Sequence, residues 1–250
     1  MIGRRKFLGA LAAGGSGLIL SGCDAVGQSG WFDSLAEGAD ALHHRSQGLL
    51  TDRAALAREY SEADMSPYFR PNGNRGVTGV DYEAMLANGF RDWRLQVGGL
   101  VERPLSLSLD TLNGLARRSQ ITRHDCVEGW SAIGQWQGPQ LGPILKAARL
   151  KREARYIVFH CADSFGDAPY YESIDLIDAF HPQTILATRM NGGPLPVEHG
   201  APVRMRIERQ LGYKHAKFVM RIEAVASLNG LYGGKGGYWE DRGYQWYAGI

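Results

Sequence analysis

The sequence predicts an α+β domain in which mixed sheets alternate with short helices. Short runs such as residues 93–97 and 203–208 alternate apolar and polar side chains, which is the period of a half-buried strand. Residues 141–148 instead place apolar side chains three and four apart, which is the spacing of an amphipathic helix. Short strands mixed with short helices, without a long helical repeat, favour the α+β class.

The elements follow along the chain in the same way. Apolar residues at helical spacing predict a helical arm from residue 32 to about Ser61, and residues 66–74 predict a loop. We expect the remaining strands at residues 105–109, 121–125, 156–161, 185–190 and 218–225. The other expected helices span residues 110–117 and 174–180, the second capped by Ser173, with turns at 138–139 and 191–193.

Composition limits the possible functions. The chain has 250 residues, of which 44% are hydrophobic and 22% charged, as in an ordinary globular protein of one large or two small domains. Its formal net charge is +2, and three basic residues lie in the first six positions. A chain with so little excess positive charge has no electrostatic support for nucleic-acid binding.

The first 23 residues look like an export signal. A basic n-region is followed by an uncharged stretch, 7–22, too short for a comfortable membrane span. Residues 4–8, Arg-Arg-Lys-Phe-Leu, resemble a twin-arginine signal, although an ordinary export signal is the alternative. Residues 20–23 resemble a lipobox, which implies lipidation at Cys23 and a membrane tether without a span.

This pattern divides the chain into four parts. We expect a twin-arginine lipoprotein signal over residues 1–22 and a tether with a helical arm over 23–64. The main domain would follow over residues 65–229. A C-terminal tail over 230–250, rich in glycine and aromatic residues, would either wrap the domain or form a lid or docking surface.

Cys126 stands among charged residues at the middle of the chain. A structural cysteine is usually a buried small hydrophobe, whereas nearby cations such as Arg123 and His124 favour a thiolate. A cysteine hydrolase would need a distant histidine base, and a structural zinc site would need further Cys or His ligands at close spacing. The sequence contains no C-x-x-C pair. Nucleophile, metal ligand and structural cysteine all remain open from the residues alone.

Residues 126–131, Cys-Val-Glu-Gly-Trp-Ser, together with residues 136–138 and 141–145, resemble the molybdenum-binding segment of the sulfite oxidase family. The resemblance is greatest to its branch of periplasmic protein-methionine-sulfoxide reductases. It implies a sulfite-oxidase-type fold that binds molybdenum-molybdopterin, with Cys126 as the single protein ligand of the metal. A thiolate suits a soft, redox-active centre.

Two downstream segments extend the resemblance. Residues 199–204, His-Gly-Ala-Pro-Val-Arg, are similar to a pterin-contacting run, with His199 in place of an asparagine and Arg204 retained. Residues 212–217 resemble a segment that holds the phosphate end of the cofactor, which implies roles for His215, Ala216 and Lys217. The alternative is that these basic residues form a solvated face, although Arg and Lys are the usual phosphate partners.

Three further positions are matched by the same resemblance. Asn72 and Cys161 correspond to cofactor-contacting positions, and Glu128 corresponds to an active-site glutamate. Cys161 could instead end a buried strand, and Glu128 could be an ordinary loop carboxylate.

The family resemblance implies oxygen-atom transfer, most simply the reduction of an S-oxide such as methionine sulfoxide. Electrons would come from a haem-containing membrane or periplasmic protein, because the chain has no C-x-x-C-H haem-attachment motif. We expect a lipid-anchored monomer on the periplasmic side of the inner membrane. The alternatives are sulfite oxidation, with Arg123 serving an anionic substrate, and a non-enzymatic binding lipoprotein.

Overall fold

A five-stranded mixed sheet forms the centre of the structure, a computed structural model that describes residues 52–250. Its strands, numbered in chain order, lie side by side as Leu105–Ser108 (β2), Arg94–Gly99 (β1), Val219–Val225 (β11), Tyr156–Phe165 (β5) and Ala168–Asp175 (β6). β1 and β11 are parallel, and the other pairs are antiparallel. This mixed sheet confirms the predicted α+β class.

Two smaller sheets carry the middle of the chain. A four-stranded sheet runs in the order Arg117–Asp125 (β3), Ser131–Pro139 (β4), Arg189–Met190 (β8) and Gly193–Pro194 (β9). Ile185–Ala187 (β7) pairs with Arg204–Arg206 (β10). β3 and β4 pair along their whole length, from Arg117 opposite Pro139 to Asp125 opposite Ser131. The register therefore fixes residues 126–130 as the loop at the end of a long hairpin.

The helices are short and lie between strands. They are Val80–Ala87 (α1), Leu109–Gly114 (α2), Leu141–Ala148 (α3) and Leu176–Ala179 (α4). Ser108 caps α2, because its Oγ accepts a hydrogen bond from the Thr111 amide at 3.0 Å. Single 3₁₀ turns occur at Glu62–Asp64, Val197–His199, Gly212–Lys214 and Glu240–Arg242.

The main core lies on the central sheet. The alternation predicted for residues 93–97 is confirmed, because Trp93, Leu95 and Val97 are all buried. A smaller apolar cluster surrounds Trp136 and Phe69 beside the β3–β4 hairpin. Burial of this kind contributes roughly 25 cal/mol per Å² of apolar area, so the hairpin is stabilised directly beneath its loop.

Two sequence predictions near the ends of elements are wrong. Residues 53–61 are not helical: Glu59 forms an antiparallel bridge with Thr122, which adds this stretch to the edge of β3. The rest of the predicted arm lies outside the described residues. Ser173 does not cap a helix, because it lies within β6 opposite Val158, and Asp175 caps the shorter α4 instead.

The interior of the hairpin region also differs from prediction. Gly138 and Pro139 do not form a turn but end β4, where a side chain at Gly138 would collide with the Leu186 carbonyl, 1.9 Å from the Cβ position. The predicted strand 185–190 is broken into β7 and β8, which belong to different sheets. Strands buried on both faces lose the alternation that a sequence prediction relies on.

Arg53–Ile250 forms one compact unit that includes the C-terminal tail. The predicted signal, the lipidation site at Cys23 and the tether up to residue 51 lie outside the described residues. Within residues 52–250, the helices are too short or too polar to cross a membrane. The predicted boundaries at residues 23, 65 and 230 stay predictions.

Candidate active site

Cys126 is presented by the loop of the β3–β4 hairpin. Its amide donates to the Trp130 carbonyl at 2.9 Å, and the Gly129 amide donates back to the Cys126 carbonyl at 3.0 Å. Gly129 has φ of +86°, which glycine adopts without a steric penalty. This tight turn holds the Cys126 side chain, which is 8% exposed, at a fixed place under the loop.

The surroundings of the Cys126 thiol act on its ionisation in opposite directions. Burial raises its pKa, while a hydrogen bond from the Glu128 backbone and the charges of Arg70 and Arg204 act to lower it. Burial prevails, so the free side chain is a neutral thiol. A soft metal ion can displace that proton, whereas an uncompensated thiolate would be costly in this environment.

A cleft of about 620 Å³, part of it open to solvent, lies against Cys126. Of the predicted site residues, it brings together Asn72, Cys126, Glu128, His215 and Lys217. The rest of its lining is Gly73, Asn74, Val127, Asp163, Phe165, Tyr170, Tyr213 and Trp239.

Arg204 is a buried cation without a carboxylate partner among the described residues. It is fully buried, and its guanidinium makes only long hydrogen bonds, to the carbonyls of His199 at 3.2 Å and His215 at 3.5 Å and to Asn72 Oδ1 at 3.4 Å. Its Nε has no partner there. Burial and the neighbouring Arg206 lower the pKa of Arg204. A charge held in this way is suited to an anion that arrives from outside the chain.

Lys217 is the second cation of this kind. Its Nζ donates to the carbonyls of Asn74 and Glu198, and it has no ion pair with a carboxylate in the described part of the chain. Burial first, and then the charge of Arg204, lower the pKa of Lys217 to about 7. An anionic group bound in the cleft would restore its full charge. These two residues contradict the alternative of a solvated basic face.

Two buried histidines offer ring nitrogens that lack partners within residues 52–250. His215 Nε2 donates to the carbonyls of Ile207 and Gln210, both at 3.0 Å, so Nδ1 is left as an acceptor. His199 Nδ1 is also unpartnered. Burial lowers the pKa of His199 to about 3 and that of His215 well below its ordinary value. Both rings are therefore neutral and able to meet a polar heterocycle.

A buried polar layer supports the site from behind. Arg206 forms a bidentate ion pair with Glu208, with N–O distances of 2.8 and 2.7 Å, and also donates to His124 Nδ1 at 3.0 Å. The guanidinium groups of Arg204 and Arg206 lie 4.9 and 4.4 Å from the centre of the Trp136 ring. The aromatic ring stabilises two neighbouring cations that would otherwise repel each other.

Gly212 is required at this layer. A Cβ at this position would lie 2.4 Å from His124 Nε2, so only glycine lets residues 212–217 approach the hairpin so closely. The glycine of this segment therefore has a packing role beside the cofactor-facing residues that follow it.

Five predicted residues do not line the cleft: the buried His199 and Arg204 described above, and Arg123, Cys161 and Ala216. Arg123 is half-exposed, pairs with Asp125 at 3.0 Å, and lines a separate polar pocket with Tyr60 and Arg209. Cys161 lies in β5 opposite Val219 and packs on the main core. Ala216 is fully buried, and its carbonyl accepts from the Met205 amide at 2.7 Å. Ala216 can contribute backbone position but no side-chain chemistry.

Sequence reasoning missed several residues of the cleft. Asn74 and Asp163 meet across it, with Asn74 Nδ2 donating to Asp163 Oδ2 at 2.9 Å. Tyr170 and Trp239 supply aromatic walls from β6 and the C-terminal tail. The Asn content of the 66–74 loop was a usable signal for Asn74. Nothing local in the sequence marks Asp163 or Tyr170.

These residues fit a metal-bearing organic phosphate. Cys126 supplies a soft ligand, and Arg204 and Lys217 are buried cations that lack an anion. The unpartnered ring nitrogens of His199 and His215 can bind the polar edge of a heterocycle. The described residues contain no group of three or more Cys, His, Asp or Glu side chains that could chelate a metal. The arrangement therefore suits a metal whose other ligands come from an organic cofactor.

Comparison with known proteins identifies the family. The sequence model for the oxidoreductase molybdopterin binding domain matches residues 83–230. A putative protein-methionine-sulfoxide reductase subunit YedZ1 from Azospira oryzae is 36% identical over 98% of this chain and 87% of its own length. The catalytic subunit MsrP of a protein-methionine-sulfoxide reductase from Xanthomonas axonopodis is 37% identical over 54% of this chain, which spans about half (46%) of that relative.

A solved structure supports the fold. The sulfane dehydrogenase SoxCD from Paracoccus pantotrophus superposes with a TM-score of 0.51 at 23% identity, covering 55% of this chain and 39% of that one. At this identity the likeness concerns the fold alone, and it agrees with the mixed sheets and short helices described above. The chain belongs to the family of the oxidoreductase molybdopterin binding domain, and it is a molybdenum-dependent oxidoreductase with molybdenum-molybdopterin as its cofactor.

Proposed function

We propose that this enzyme reduces an S-oxide, such as free or protein-bound methionine sulfoxide, by oxygen-atom transfer. The observation that carries the proposal is the cleft beside Cys126, whose lining includes the aromatic side chains of Phe165, Tyr170 and Trp239. Thioethers, the products of this reduction, make favourable contacts with aromatic rings. The names of two relatives, both protein-methionine-sulfoxide reductases, support the same substrate class.

The residues of the chain have separate tasks in this proposal. Cys126 Sγ would hold the metal, and Arg204 and Lys217 would hold the phosphate end of the cofactor. Asn72, His199 and His215 would orient the organic part. When bound, the cofactor supplies a metal centre able to take an oxygen atom and to exchange electrons. Cys161 and Ala216 would act through their backbone positions.

Glu128 is the proposed proton donor. Reduction of a sulfoxide to a sulfide and water consumes two electrons and two protons, so a proton source is needed at the cleft. Glu128 lies two residues after Cys126, lines the cleft and is open to solvent. Its Oε2 accepts from Trp130 Nε1 at 3.0 Å, which holds the carboxyl group beside the loop.

Sulfite oxidation is the less favoured reaction. Sulfite is an anion, and its binding would call for arginine side chains at the substrate end of the cleft. Within the described residues the cleft lining includes no arginine, and Arg123 belongs to another pocket. Arg123 is therefore not part of the proposed substrate site.

Partners and location belong to the same proposal. The relatives are named as subunits of reductases, which supports a separate electron-transfer protein, and we propose a haem-containing one at the membrane. We further propose twin-arginine export, lipidation of Cys23 and a monomer tethered at the periplasmic face of the inner membrane. The signal in residues 1–23 is the support for this location.

The test is a pair of assays on the protein purified from a cofactor-competent host. We expect methionine sulfoxide to oxidise a reduced viologen dye in the presence of the enzyme, and Cys126→Ser to abolish this turnover. Sulfite should not reduce ferricyanide. Sulfite-dependent electron release without any sulfoxide turnover would reverse the assignment.

A further inference from the structure

The C-terminal tail, residues 230–250, forms part of the cleft although it follows the matched family domain. Trp239 lines the cleft together with Cys126, whereas the family match ends at residue 230. Trp239 stacks on Tyr244 with ring centres 5.3 Å apart, so it is held as part of a folded tail. Contacts that hold the tail against the domain therefore also hold Trp239, which forms one wall of the cleft.

Lys214 joins the tail to the cofactor-facing segment 212–217. Its side chain is fully buried, and its Nζ lies 2.6 Å from Glu172 Oε2 of β6 and hydrogen-bonds to Glu240 Oε1 of the tail. Glu172 and Glu240 are buried as well. A buried lysine held by two buried carboxyl groups is costly to leave incomplete, because each charge has been removed from water.

The carboxyl groups of Glu172 and Glu240 have a second neighbour in common besides Lys214, namely Gly237. Glu172 Oε1 and Glu240 Oε2 have no other partner in the described part of the chain, and both face Gly237. A Cβ there would lie 2.0 Å from Glu240 Oε2 and 2.8 Å from Glu172 Oε1. Burial, together with the neighbouring Glu240, raises the pKa of Glu172, against the effect of Lys214. A proton on Glu172 would leave the cluster of Lys214, Glu172 and Glu240 without net charge.

The geometry of segment 212–217 transmits this contact to the cleft. Tyr213, His215 and Lys217 line the cleft, while Lys214 between them points to the tail. Tyr213 Oη also donates to the Gln245 carbonyl at 2.6 Å. Displacement of Lys214 would therefore move the residues on both sides of it.

We propose that Glu240 is a positioning residue of the active site, which acts through Lys214 to hold both segment 212–217 and Trp239 against the bound cofactor. This proposal rests on the molybdopterin site and not on the identity of the substrate. Loss of such supporting contacts typically weakens metal-site affinity by about 10- to 100-fold.

The experiment compares molybdenum retention in three variants of the full-length enzyme. Glu240→Ala removes the contact and should speed the loss of molybdenum during dialysis by about tenfold. Glu240→Gln should retain it, because the amide oxygen can accept from Lys214 and the side chain keeps its length. Glu102→Ala is the matched control, because Glu102 is a surface glutamate whose ion-pair partner is Arg149, at 3.0 Å, and not a residue of segment 212–217 or of the tail.

Molybdenum retention is measured as metal per chain, so the result stands whether or not sulfoxide is the substrate. Equal retention in Glu240→Ala and wild type overturns the proposal. Equal loss in Glu102→Ala or in Glu240→Gln overturns it too, because the effect would then not depend on the link to Lys214.

Hydrogen exchange on the unaltered protein provides a second test if Glu240→Ala does not accumulate. Cofactor-loaded protein should show at least about tenfold slower amide exchange than cofactor-free protein in both segment 212–217 and residues 238–245, since coupling between sites is reciprocal. Slowing confined to segment 212–217 would refute the role of Glu240.

Discussion

Lys217 provides a direct test of the anion site, because its charge should destabilise the folded protein when no cofactor is bound. Burial and Arg204 lower its pKa from an ordinary 10.5 to about 7. When the pKa of a lysine is lower in the folded state than in the unfolded state, protonation lowers the free energy of unfolding. The loss begins as pH falls below 10.5, the pKa in the unfolded state, and is complete below about 7, the pKa in the folded state. We therefore predict that Lys217→Met stabilises the cofactor-free protein at neutral pH while it weakens cofactor retention.

The magnitude follows from the linkage between ionisation and folding. With pKa values of 10.5 unfolded and about 7 folded, the charge of Lys217 costs about 4 kcal/mol at pH 7 and about 2 kcal/mol at pH 9. Loss of its hydrogen bonds leaves the carbonyls of Asn74 and Glu198 unpaired, at about 1 kcal/mol each. The net gain from Lys217→Met should be about 2 kcal/mol at pH 7 and close to zero at pH 9.

The assay is urea unfolding of both proteins, produced in a host that cannot make the cofactor, at pH 7 and pH 9. Lys146→Met is the control, because Lys146 is exposed on α3 and its replacement should change stability by less than about 0.5 kcal/mol at either pH. If Lys217→Met lowers the free energy of unfolding at both pH values, Lys217 is not a strained cation, and the anion site is wrongly identified.

Two further substitutions test the layer behind the cleft. Gly212→Ala should lower the free energy of unfolding by about 2 kcal/mol or more, because the new Cβ would lie 2.4 Å from His124 Nε2. Thermal unfolding checks this, with Gly114→Ala as the control, because a Cβ at Gly114 would meet no atom within 4 Å. Glu208→Gln should cost about 3 kcal/mol in urea unfolding, since it leaves the buried charge of Arg206 without its partner; a change below about 1 kcal/mol would show that the pair is not needed.

The sequence was informative where chemistry is local. The run from Cys126 to Ser131 and the later basic segments predicted the cofactor through their resemblance to the sulfite oxidase family, and the alternation at residues 93–97 predicted β1 from the residues themselves. These features depend on neighbours in the chain, so a linear pattern reveals them.

The sequence was misleading where tertiary contacts determine whether a side chain is buried and which pocket it enters. Arg204 and Arg206 alternate with apolar residues as if exposed, yet both are fully buried, because Trp136, Glu208 and the cofactor site surround them. Arg123 is next to the cysteine loop in sequence, but strand alternation directs its side chain to another pocket. The composition of the C-terminal tail predicted that it could wrap the domain, but no local pattern indicated that Trp239 is the residue that reaches the cleft.

The most direct test of the central claim is the molybdenum content of the purified enzyme. We predict close to one molybdenum atom per chain in protein from a cofactor-competent host, and near-complete loss in Cys126→Ser while the thermal unfolding temperature of the cofactor-free proteins is unchanged. Molybdenum retained at the wild-type level in a folded Cys126→Ser protein would contradict the assignment of Cys126 as the metal ligand.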